Sequence, residues 1–114
     1  MRWAVEVSHV VRCENREKTM SNARAYRYRV VDVFTDQPLA GNALAVFPDA
    51  SRMDDATMQK IAREMNLSET SFVVPSTRAD CAAGVRIFTP GKEMAFAGHP
   101  TIGTGFVLLA EGIL

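Results

Sequence analysis

Cysteine is scarce in this chain of 114 residues, which has only Cys13 and Cys81. Two cysteines do not make a disulfide framework in a chain long enough to bury a core of its own. Free thiols in a reducing compartment are therefore expected, with pairing as the alternative. Long apolar runs are missing too: nothing approaches the ~18 residues a membrane-spanning helix needs. Glu6 and His9 interrupt any signal-peptide core at the N-terminus, so a cytoplasmic location is expected. Net charge is also lacking, because 13 Lys and Arg offset 13 Asp and Glu. A general nucleic-acid binder needs a basic excess, so neither nucleic acid nor membrane is expected as a partner. Neither a phosphate-binding glycine loop nor metal-ligand spacing occurs. None of these absences counts against a small-molecule enzyme.

What is present is an ordinary globular balance, 47% apolar and 23% charged residues. It suffices for one small domain with one core. The chain divides near residue 25. Residues 1–25 carry five basic and three acidic side chains, leaving eight and ten for the rest. Arg12–Arg24 is polar and charged, with no sustained period. Residues 1–25 read as an N-terminal extension, disordered or a mis-assigned start, with a short strand over Trp3–Val11 as the alternative. From Tyr26 the pattern sharpens. Tyr28–Phe34 and Ala43–Phe47 are rich in β-branched and aromatic residues and read as strands around the turn residues Pro38, Gly41 and Asn42. Met58, Ile61, Ala62 and Met65 recur at helical spacing, so Asp54–Met65 reads as a helix with Asp54 as N-cap and Asn66 as an αL stop. Thr70–Val74, Ala83–Thr89 and the short apolar segment Met94–Ala97 read as strands. Pro100–Glu111 reads as a final helix with proline in its first turn. Gly103 and Gly105 weaken that helix and are expected to pack against the sheet. The order β-β-α-β-β-β-α predicts an α+β domain with a mostly antiparallel or mixed sheet.

Two segments carry candidate chemistry. Glu69 sits between a helix stop and a strand. Leu67, Phe72 and Val73 are expected to shield it from water, a setting in which carboxylates exchange protons near neutrality. By position alone it reads as a surface glutamate. Gly98-His99-Pro100-Thr101-Ile102-Gly103 opens the last helix. A helix N-terminus presents unbonded amides to an anion, and Gly98 would let a ligand approach the backbone. His99 is placed to relay a proton, or merely to cap a core helix. Asn42 is a weaker candidate whose plainer reading is a turn residue. Cys81, beside Asp80, reads as a core or loop thiol.

Together these segments resemble the PhzF-like (phenazine-biosynthesis) isomerase family. The resemblance rests on Tyr28–Pro38, Gly41–Phe47, Glu64–Val73, Arg86–Pro90 and Phe96–Thr104, in order, from about residue 26 to the end. Ala43 departs from it, standing where the family usually has proline. The resemblance implies a diaminopimelate-epimerase-like fold of two α+β lobes, each a curved sheet around a central helix, of which residues 26–114 are a truncated N-terminal lobe. It further implies a cofactor-independent proton shift on a small carboxylated, dihydro-hydroxyanthranilate-like metabolite. No metal is involved, and the full-length family is expected to be homodimeric. Glu69 matches the acid/base and His99 a catalytic partner. Ser68, Gly98, Asn42 and the amides of Thr101 and Ile102 are expected to contact substrate. Related racemases carry a cysteine base before the helix glycine. Here that position is Ala97, which leaves the carboxylate of Glu69 as the base. The run Leu109–Leu114 shows no evident helix cap, which suggests interruption, and the chain alone is expected to be inactive. Two alternatives remain: a non-catalytic remnant or association module, and an epimerase or racemase of an amino-acid-like substrate.

Overall fold

A computed structural model describes residues 7–13, 24–35, 37 and 39–113, with residues 7–13 and 24 described by their backbone. Six strands form one mixed sheet in the order of the sequence. They are β1 (Val7–Cys13), β2 (Arg24–Val33), β3 (Asn42–Phe47), β4 (Glu69–Val74), β5 (Gly84–Phe88) and β6 (Glu93–Met94). Helix α1 (Asp55–Met65) connects β3 to β4, the one parallel pair, and α2 (Gly98–Ala110) follows β6. All other neighbours are antiparallel.

The two faces of the sheet bury different cores, because side chains alternate along each strand. One face carries Tyr26, Phe47, Phe72 and Phe88 against Met58, Ile61 and Ala62 of α1. Rings from four adjacent strands line up there: Tyr28 stacks on Phe47 at 5.2 Å, Phe47 on Phe72 at 5.1 Å, and Phe72 meets Phe88 edge-on at 5.4 Å. The other face carries Val31, Val33, Leu44, Val46 and Val73 against Val107 and Leu108 of α2. Helix α1 begins and ends on the residues expected. Asp54 accepts the Thr57 amide at 2.7 Å, and Asn66 closes the helix at φ 53°.

Three expectations need correction. Residues 1–25 are not wholly an extension outside the domain. Val7–Cys13 is an edge strand whose register runs from Val7 opposite Val30 to Cys13 opposite Arg24. Strand β2 thus begins ahead of residue 26. The strand alternative overlaps β1 at residues 7–11, while Trp3 to Glu6 lie outside the described residues. The physical reason is Val7, Val10 and Val11, β-branched residues that suit a pleated edge. The end of α2 is also capped. Gly112 at φ 74° donates its amide to Leu109 O, and Ile113 donates to Leu108 O, the paired pattern of a Schellman stop. Finally, Gly105 does not pack on the sheet: a Cβ there would meet nothing within 4 Å.

Gly103 does pack as expected. A Cβ on it would lie 2.6 Å from Leu44 Cδ2 and 2.9 Å from Val33 Cγ2. Leu44 is fully buried and has no room to swing aside. Gly103→Ala should therefore destabilise this chain by about 1–3 kcal/mol through overpacking. Gly105→Ala should stabilise it by up to about 1 kcal/mol through helix propensity. Urea unfolding of the two variants measures the contrast.

A second pairing ties α1 to the far edge of the sheet. Arg86 donates to Glu93 Oε1 and Oε2 at 2.8 Å each and reaches Asp55 of α1. The Arg86 hydrogen bond holds the Glu93 carboxyl below its ordinary value of 4.5. Because the folded value is depressed, the stabilisation is present above the ordinary value and is lost as pH falls through the folded one. Glu93 is 43% exposed, which limits the effect. Glu93→Gln should cost about 0.5–1 kcal/mol at pH 7, and the difference from the parent chain should vanish on acidification below the depressed value. Chemical denaturation across that range reads it.

Candidate active site

Glu69 is the first residue of β4 and stands opposite Leu44 in the parallel pair. Its face of β4 is that of Ser71 and Val73, so its side chain projects toward α2. Helix α2 begins over the same end of β4, with Ala97 as an N-cap that supplies no side-chain hydrogen bond. This places His99 beside Glu69, with Nδ1 3.3 Å from Oε2. Both side chains are largely shielded, at 11% and 17% exposure. The contact has ion-pair distance but not hydrogen-bond direction. Glu69 Oε2 and His99 Nε2 are both buried without a hydrogen-bond partner. Buried polar atoms are ordinarily satisfied, so a carboxylate oxygen and an imidazole nitrogen with unused capacity mark a place suited to a polar ligand.

The other expected residues fall at the same end of the sheet with different standing. Gly98 is exposed, and a Cβ on it would meet nothing within 4 Å, so the space over this amide is open. Asn42 is exposed at the start of β3, two residues before Leu44 and on the same face. It therefore lies about 7 Å along the strand from the position opposite Glu69. Ser68 is exposed in the turn that enters β4. The amides of Thr101 and Ile102 are a correction. The helix starts at Gly98, not Pro100, so the Thr101 amide is already bonded to Ala97 O at 3.4 Å. Ile102 lies one position deeper in the same ladder. The Thr101 hydroxyl also turns back onto Ala97 O, at 2.8 Å. The unbonded donors of the first turn are the amides of Gly98 and His99, since Pro100 has none.

Sequence reasoning passed over two residues under this site. Ser71 and Thr104 share a buried hydrogen bond of 2.6 Å. The available signal was Ser71 itself, a polar residue two positions beyond Glu69 on the face of β4 that carries Val73. Asp32 was also missed; its Oδ2 accepts the Leu39 amide at 2.7 Å and holds the β2–β3 connection. Cys81 is an exposed free thiol. Among the described residues, no group of three or more His, Cys, Asp or Glu is placed to hold a metal ion. No helix among them is long and apolar enough to cross a membrane.

A family model described as phenazine biosynthesis-like protein (PhzC-PhzF) matches residues 31–114. The chain belongs to the PhzF family. It is 53% identical over 83 residues to an uncharacterised isomerase of Pasteurella multocida, covering 73% of this chain and 29% of that one. It is 50% identical over 86 residues to the trans-2,3-dihydro-3-hydroxyanthranilate isomerase of Pseudomonas aeruginosa, covering 75% of this chain and 31% of the relative. Among solved structures it matches a predicted epimerase from Pseudomonas aeruginosa at a TM-score of 0.69 and 44% identity, over 75% of this chain and 30% of that one. The PhzF match and this structural neighbour give the fold as epimerase-like, an α+β fold with a mixed sheet and two helices. The chain thus spans between 29% and 31% of the length of these curated relatives.

Gly98→Ala fills only open space, and alanine is the better helix former. The variant should keep or slightly raise the melting temperature of this chain, by no more than the equivalent of about 1 kcal/mol. A fall larger than that in a thermal melt would show that the glycine is structural.

Proposed function

We propose that this chain supplies the acid–base half of a PhzF-type isomerase site that shifts a proton on a small carboxylated metabolite. The observation that carries the reading is the buried Glu69–His99 pair at the N-terminus of α2. Glu69 takes a proton from one carbon of the substrate and returns it at another. A carboxylate serves because its two oxygens can lose and regain the proton without leaving the site. The amides of Gly98 and His99, at the positive end of α2, hold the substrate's own carboxylate. They also stabilise negative charge that spreads onto it as the proton leaves. His99 orients the substrate or relays the proton through Nε2. Ala97 cannot carry a proton, so a base at that position, as in a cysteine racemase, is unavailable. The relative from Pseudomonas aeruginosa bears the name of a dihydro-hydroxyanthranilate isomerase, which supports a substrate of that class. Ser68 and Asn42 are proposed as rim contacts. No cofactor is invoked.

A second reading, an association module without turnover, is favoured by the exposed apolar side chains Ile102 and Leu109 on α2 and Ile113 just beyond it. Sedimentation against concentration separates the two. Concentration-dependent self-association without any effect of Glu69→Gln on ligand binding would favour the module.

The deciding experiment is done in a full-length relative that carries the same motif. Changing the glutamate equivalent to Glu69 to glutamine should lower turnover by about 10²–10⁴-fold, the usual worth of a positioned acid–base group. Retained turnover would exclude the role. The 114-residue chain alone, with under a third of the relatives' length, should show little or no turnover in the same assay.

A further inference from the structure

Helix α2 meets β4 through two kinds of contact. The apolar contacts of Val107 and Leu108 are non-directional and tolerate small slides. The Ser71–Thr104 hydrogen bond does not. Ser71 is 0% and Thr104 1% exposed, and their hydroxyl oxygens lie 2.6 Å apart, either one able to donate. Ser71 stands two residues beyond Glu69 on the same face of β4. Thr104 stands five residues beyond His99 and directly after Gly103, where the helix lies closest to Leu44 and Val33. Moving α2 by one residue rotates it by about 100° and shifts it by about 1.5 Å. Either motion would bury two unpaired hydroxyls, a state that folded proteins avoid.

We propose that Ser71 and Thr104 are positioning residues whose buried hydrogen bond sets the register of α2 on β4 and so the distance between the Glu69 carboxylate and the His99 imidazole. The proposal rests on the reading of Glu69 and His99 as an acid–base pair. It asks more of the two hydroxyls than stability. A core of this size could be filled at the same volume by valine and alanine, but those side chains would not specify one register.

The test is the NOE between the His99 ring protons and the Glu69 side-chain methylenes in the 114-residue chain. A His9→Gln variant assigns the second histidine. Glu69 lies at ion-pair distance from His99, close enough for that NOE in the parent. Thr104→Val and Ser71→Ala should lose most of it, with the amide spectrum still that of a folded chain. Thr104→Ser, which keeps the hydroxyl, should give the NOE of the parent. If Thr104→Val does not fold, Ser71→Ala and Thr104→Ser carry the comparison. Folded Ser71→Ala and Thr104→Val variants that keep the NOE of the parent overturn the positioning role and leave the acid–base reading standing. A parent chain without the NOE overturns both.

Discussion

Helix α2 lies closer to the sheet than a helix with a side chain at every position could, and the rest of the structure follows from that approach. Gly103 opens the space; Leu44 and Val33 occupy it. At this range the neighbouring Thr104 reaches Ser71 through one direct hydrogen bond. The N-terminal turn of the helix is then carried over the start of β4, where Glu69 points up from the sheet toward His99. A longer side chain at residue 103 would lift the helix and part the two groups without touching either.

The ends of the helices are handled by different physics. Helix α1 is capped at both ends from its own flanking residues, Asp54 and Asn66. Helix α2 has no side-chain cap at its start, which leaves the amides of Gly98 and His99 without intrahelical partners. At its other end Glu111 sits where the helix dipole disfavours an acid. Arg27, 3.2 Å away, and Arg29, 3.5 Å away, offset that cost and tether the helix end to β2. Apart from His99, α2 carries no ionisable side chain. A helix apolar on nearly all sides is one made for burial, and Ile102 and Leu109 remain exposed on its outer side here.

Much of the fold was legible in the sequence because its signals are local. The period of Met58, Ile61, Ala62 and Met65, the β-branched runs and the turn residues each act over a few positions. What misled was also local. Proline at residue 100 suggested a helix start there, yet proline is tolerated throughout the first turn and the helix begins at Gly98. Gly103 and Gly105 look alike in sequence, but only the first faces the sheet. Gly112 was the stop signal in a stretch that seemed to have none. The polar residues before Met20 hid an edge strand, Val7–Cys13, because a strand of seven residues with no partner in view carries a weak period.

The candidate site divides along the same line. From the sequence came the identities: a glutamate after a helix stop, a glycine–histidine helix opening and, through the family resemblance, an alanine where related racemases carry a cysteine. Their motif order places the chain in its family. Only the tertiary structure decided that Glu69 and His99, thirty residues apart, meet at 3.3 Å. Tertiary structure alone also decided which amides remain free and that a serine and a threonine lie beneath the pair. The reason is that residue type and short-range spacing are properties of the chain. A distance across β4 and α2 instead depends on how closely two elements pack, and here that rests on one glycine and one buried hydrogen bond.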